Sequence, residues 1–260
     1  MSMKVANSIH KSENRLFYRL SQGDRQAICF PYLGGYANAF GKLASLLDGR
    51  VELWAANPPG HGGSNAALVE DIDDLVEGYA MEVSKIIRPE CVFLGHSMGG
   101  TVAYFLARRL AEGCGAGAAG PSAVIISACG APSIFKDIQY SRLPGRELVE
   151  KIMTYGAMPK EVLDEPDFLE ALLPVFRADY RVLESAAQKD PRPLGTPTYL
   201  LWGQKDDAVP LDALLQWKKY LKHGPIVWPI KGAEHMFIHS MADEVARCVE
   251  QSFGQMEECA

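Results

Sequence analysis

The sequence predicts an α/β fold: a mostly parallel central sheet with helices on both faces, interrupted by an inserted helical lid. Three observations predict it. Short apolar runs alternate with amphipathic helical stretches from Gln26 onward, the rhythm of strand-helix-strand units whose parallel pairing needs helical crossovers. One run, Val92-Phe93-Leu94, enters Gly95-His96-Ser97-Met98-Gly99 and then a helix-like stretch to Leu110. From Pro132 to about Gln188 the rhythm breaks, and helical stretches follow one another with no strand between them. The expected organisation is one domain spanning residues 1–260, with the lid at about 132–188.

Taken in order, a polar lead precedes Gln26-Ala27-Ile28-Cys29-Phe30, a buried strand stopped by Pro31 and followed by a turn containing Gly34 and Gly35. A helix is expected from about Asn38 to Leu47 and a strand over Val51–Ala56. The loop Asn57-Pro58-Pro59-Gly60-His61-Gly62-Gly63 can neither continue a helix nor join a ladder. Ile72, Leu75, Val76, Tyr79, Ala80, Val83, Ile86 and Ile87 recur at helical spacing between Asp71 and Arg88, with acids in the first turn. After the Ser97 segment come a glycine-rich connection, Gly113 to Gly120, and a strand, Ala123–Ser127. Within the lid, Leu148, Ile152 and Met153 mark one helix, while Phe168, Leu172, Leu173, Phe176, Tyr180 and Leu183 mark more, interrupted by Pro159, Pro166 and Pro174. The sheet resumes with Thr198–Trp202, a helix from Asp212 to Leu221, a strand Ile226–Ile230 and a last helix from Ala242 to Phe253.

Composition narrows the function. The 260 residues are 48% hydrophobic and 22% charged, which gives an ordinary globular core. A net charge of −6 argues against a general nucleic-acid binder, and Lys218, Lys219 and Lys222 make only a small cluster. No apolar run reaches the length of a membrane span and the first fourteen residues are polar, so a cytoplasmic protein with no membrane partner is expected. The six cysteines lack metal-ligand spacing and read as reduced thiols.

Right-handed crossovers place all strand-to-helix loops at one sheet edge, so the loops after Phe30, Ala56 and Leu94 should converge. A serine held on a strand-turn-helix elbow is lifted off that edge. Its hydroxyl becomes a nucleophile only beside a base that a carboxylate orients. Both partners follow Ser97 in the chain. Asp206 stands three residues past Gly203 at a strand end, and His235 lies in the loop after the last strand. Asp207 competes with Asp206 in the same turn, and Asp206 is favoured. The backbone N–H of Met98 is one expected oxyanion donor; Leu33, ahead of Tyr32, is the best candidate for the other. His96 is expected to brace the elbow and His61 to be a structural loop residue. His239 lies four residues past His235, but two histidines without a third ligand do not make a zinc site. No metal or cofactor is expected.

These segments together resemble type II thioesterases, the editing α/β-hydrolases that accompany nonribosomal peptide and polyketide synthetases. The resemblance runs from about Gln26 to Phe253 through Phe30-Pro31-Tyr32-Leu33-Gly34-Gly35, Asn57 to Gly62, Gly95 to Gly100, Phe176-Arg177-Ala178-Asp179-Tyr180, Gly203 to Asp206 and Gly232 to His235. It implies an α/β-hydrolase fold and hydrolysis of acyl or aminoacyl thioesters carried on the phosphopantetheine arm of acyl or peptidyl carrier protein domains. Ser97 would be the nucleophile, His235 the base and Asp206 its orienting acid. The family usually has Ala where this chain has Leu33, and it assigns no role to Gly113 to Gly120. A monomer is expected. A carboxylesterase, a chain-releasing cyclase and a catalytically silent carrier-binding scaffold remain open alternatives.

Overall fold

The computed structural model describes residues 15–113, 120–156 and 166–254. The sheet has seven strands: β1 (Phe17–Arg19), β2 (Arg25–Phe30), β3 (Val51–Ala56), β4 (Val92–His96), β5 (Ala123–Ser127), β6 (Thr198–Gly203) and β7 (Ile226–Ile230), in the order β1-β3-β2-β4-β5-β6-β7. Every pairing is parallel except β1 with β3. β1 has no counterpart in the sequence reading. Three residues are too few to display an alternating pattern, yet Phe17 enters the core and its ring packs edge-on against Phe30 and Tyr79.

The inner strands are apolar at successive positions because both faces are covered. Along β2, β4 and β5, Ile28, Phe30, Phe93, Val124 and Ile126 face one core, and Ala27, Cys29, Val92, Leu94, Ala123 and Ile125 face the other. The first core is closed by α2 (Ile72–Val83) and α3 (Met98–Gly113), the second by α1 (Gly41–Leu47) and α8 (Ala242–Gly254). Asp71 caps α2, its side chain accepting the Asp73 amide at 2.8 Å, which satisfies one of the free donors at the helix start.

Among the described residues, two short 3-10 turns, α4 (Gly145–Met153) and α5 (Pro166–Ala187) lie between β5 and β6. Pro174 lies inside α5 without ending it, so the helical stretches expected on either side of it run on as one helix. The C-terminal half of α5 is built into the first core, with Tyr180, Val182, Leu183 and Ala186 buried. The helix after β6 is shorter than expected: α6 (Leu211–Leu215) passes into a 3-10 turn, and a further short helix, α7 (Phe237–Ser240), precedes α8. Pro159 and residues 114–119 of the glycine-rich connection lie outside the described residues. Among the described residues, no helix is long and apolar enough to cross a membrane.

Candidate active site

The site begins with a backbone conformation. Ser97 has φ 53, a left-handed geometry that side chains other than glycine seldom adopt. It holds because strand and helix close on each other at the glycines around it. A β-carbon on Gly95 would lie 1.9 Å from the Gly99 carbonyl oxygen, and one on Gly99 would lie 2.0 Å from that of Phe30. The Ser97 amide donates to the Ser127 carbonyl at 2.7 Å, tying the elbow to β5.

Two further loops bring their side chains to Ser97. Asp206, in the turn after β6, is 5% exposed, and its Oδ1 accepts the amides of Ala208 and Val209 at 3.0 and 3.1 Å. Its Oδ2 stands 2.9 Å from His235 Nδ1, and His235 Nε2 stands 3.0 Å from Ser97 Oγ. A carboxylate only accepts, so the proton sits on Nδ1 and leaves Nε2 to accept the serine hydroxyl. The arrangement can take a proton from Ser97 and hold the resulting imidazolium against Asp206. Asp207 is exposed to solvent.

Above Ser97 is an apolar chamber of about 50 Å³. Leu33 and Met98 line it together with Ser97 and His235. Its wall includes Cys129 and Val209, and its lid side includes Tyr155 and Tyr180. The Tyr180 hydroxyl donates to that of Tyr155 at 3.2 Å, and the Tyr155 ring lies 5.2 Å from that of His235.

A model of the thioesterase domain family matches residues 25–253. The chain belongs to the thioesterase domain family. It is accordingly a hydrolase acting on thioesters. Gramicidin S biosynthesis protein GrsT of Aneurinibacillus migulanus is 28% identical over 219 residues, 84% of each chain. Thioesterase PikA5 of Streptomyces venezuelae is 24% identical, covering 89% of this chain and 82% of that one. Among solved structures, ClbQ from the colibactin NRPS/PKS pathway superposes with a TM-score of 0.80 at 26% identity, over 92% of this chain and 100% of that one. YbtT, a type II thioesterase from the yersiniabactin pathway, has a TM-score of 0.81 at 24% identity, over 93% and 99%, and speaks for the α/β-hydrolase fold.

The remaining histidines of this thioesterase-family chain have separate surroundings. His96 is fully buried, with Nδ1 2.9 Å from Ser127 Oγ and its ring against His235 and Phe237. Burial, reinforced by the neighbouring His235 and His239, holds its pKa well below the ordinary value. His239 Nε2 lies 2.9 Å from the Tyr32 hydroxyl. Among the described residues, no three His, Cys, Asp or Glu side chains are grouped to hold a metal ion. His61 is not simply a loop residue: its Nε2 lies 3.1 Å from Asp179 Oδ2 on α5. Sequence reasoning missed Tyr155 and Cys129, which carry no motif. Asp179 was visible as an acid three residues after Phe176 on an otherwise apolar helix face.

Proposed function

We propose that this chain is a type II thioesterase that removes short acyl and aminoacyl groups from the phosphopantetheine arm of carrier proteins. In this reading it is a single α/β-hydrolase domain with the lid inserted at about 132–188. The observation that carries the proposal is His235 bridging Ser97 and Asp206 beneath an apolar chamber, in a thioesterase-family chain. The pathway names of the relatives GrsT, PikA5 and ClbQ support the carrier-bound substrate.

In the proposed mechanism, His235 Nε2 takes the Ser97 proton as Oγ attacks the thioester carbonyl carbon. The tetrahedral oxyanion is held by the N–H groups of Met98 and Leu33, each worth about 3 kcal/mol of transition-state stabilisation. Collapse breaks the carbon–sulfur bond, and the His235 proton goes to the departing thiolate. Water then loses a proton to His235 and attacks the acyl-enzyme, releasing the acid and restoring Ser97. The apolar lining around Ser97 supports short acyl groups as substrates.

The test compares an acetylated carrier protein, an acetyl thioester without the carrier and an acetyl oxygen ester, with Ser97→Ala as control. Carrier-dependent release that disappears in Ser97→Ala is the expected result. Equal turnover of both thioesters, or faster turnover of the oxygen ester, would overturn the carrier-bound substrate in favour of a general esterase.

A further inference from the structure

Three segments meet at the backbone amide next to Leu33. The Gly34 N–H donates to Asp179 Oδ2 at 2.6 Å, and the same oxygen lies 3.1 Å from His61 Nε2. Asp179 comes from α5, Gly34 from the loop after β2 and His61 from the loop after β3. His61 and Asp179 are 4% and 3% exposed. The opposite side of the imidazole is also occupied, since Nδ1 stands 3.0 Å from the Pro59 carbonyl oxygen. A carbonyl cannot donate, and Asp179 Oδ2, as the carboxylate oxygen that accepts the Gly34 amide in the proposed pair, cannot donate either. Both ring nitrogens therefore face acceptors, an arrangement an imidazole fulfils only as the doubly protonated cation.

We infer that His61 and Asp179 form a buried ion pair that positions the Leu33-Gly34 loop, making both of them positioning residues for the oxyanion donor. The inference rests on the proposed role of the Leu33 N–H. Gly34 has φ +73, and a β-carbon there would lie 2.4 Å from the Phe176 ring of α5. An edge of the Phe176 ring thus packs against Gly34 while Asp179, one turn later, grips its amide. Asn57 Nδ2 donates to the His61 carbonyl at 3.0 Å and fixes the other loop. The shared oxygen is what makes the grip directional: Asp179 Oδ2 accepts the Gly34 amide and faces the His61 ring at once. The titratable group facing the pair from α2 is Tyr79, whose hydroxyl is pushed up by burial and by Asp179. Burial opposes charge on His61, but the Asp179 charge and hydrogen bond, with the Pro59 carbonyl, outweigh it and raise its pKa. A donor displaced by an ångström loses much of its value to the transition state.

The test uses the full chain and the near-isosteric variants His61→Gln and Asp179→Asn, with wild type and Ser97→Ala beside them. Three quantities are measured: kcat and KM on an acetylated carrier protein, affinity for an alkyl boronic acid whose tetrahedral adduct places an oxygen among the oxyanion donors, and ¹⁵N spectra of the imidazoles at pH 7. Each variant is expected to lose about 10- to 100-fold in kcat with KM little changed, and to lose boronate affinity in proportion. His61 should show both nitrogens protonated in wild type but not in Asp179→Asn, and the Gly34 amide resonance should move in both variants. Wild-type kcat and boronate affinity in both variants, a neutral His61 in wild type, or a lowered Tm with kcat unchanged would each overturn the inference. Inactive wild type, or activity surviving in Ser97→Ala, would instead overturn the proposed function, and the imidazole and Gly34 spectra would then decide the ion pair alone.

Discussion

At the scale of single residues, two glycines hold the site's geometry and two histidines set its response to pH. Gly95→Ala would drive a β-carbon into the Gly99 carbonyl, where backbone rather than a flexible side chain must move. A loss of more than about 3 kcal/mol in urea unfolding is expected, above the usual cost of overpacking. Gly41→Ala is the control, because a β-carbon there meets nothing within 4 Å at the start of α1. It should raise stability by about 0.4–1 kcal/mol by restricting the unfolded chain. His61 and His96 act in opposite pH windows. The raised pKa of His61 means that its contribution is complete below the unfolded value of about 6.5 and is lost as pH rises through the folded one. The depressed pKa of His96 contributes stability above about 6.5 that is lost as pH falls below it. Denaturation at pH 6 and pH 9 should therefore show a stability gap between wild type and His61→Gln that shrinks with rising pH. A constant gap would mean that folding leaves the His61 pKa unshifted, and a gap that widens with rising pH would mean that the fold holds His61 neutral.

At the scale of elements, α5 is two structures in one helix. Before Pro174, residues Leu169 to Leu173 are exposed or half-buried; from Phe176 onward, Ala178, Asp179, Tyr180, Val182 and Leu183 are buried against α2, α3 and the 3-10 turns. Pro174 has no amide to donate to the preceding turn, so the ladder is interrupted where burial changes. Hydrogen exchange should find fast-exchanging amides before Pro174 and protection approaching the global value after Phe176. Uniform protection along α5 would show that the interruption does not divide it. The sequence displayed this helix as apolar residues at helical spacing but not its division, because spacing reports a face and not what covers it. β2 through β6 were legible for the opposite reason: strands buried on both faces carry mostly apolar runs and stand out without any partner being known. β1 was illegible, since its single core side chain, Phe17, means nothing until β3 is beside it. In the site, Ser97, Asp206 and His235 could be read from their places after strands, whereas the meeting of His61 with Asp179 across 118 positions depends on how α5 lies over the sheet.

At the scale of the whole molecule, one sheet separates two cores, and this sets how the chain should unfold. Leu106 on α3 is fully buried in the core shared with α2 and α5, and Leu47 on α1 is fully buried in the core shared with α8. Truncating either to Ala removes buried methyl groups and leaves a cavity, at a cost of about 2–5 kcal/mol each. The two side chains belong to different clusters with the backbone of the sheet between them, so neither can relax into the other's cavity. Their costs should add within about 0.5 kcal/mol in the double variant. Cooperativity is a separate question from additivity. β2, β4 and β5 each send alternate side chains into both cores, so no strand can keep one core while losing the other. Urea unfolding of Leu106→Ala, Leu47→Ala and the double variant should therefore remain a single transition with coincident fluorescence and circular dichroism. Two separated transitions in either single variant would mean that the helical layers dissociate from the sheet independently, and that the site, whose Ser97 stands where β4 meets α3, survives only as long as the first of them.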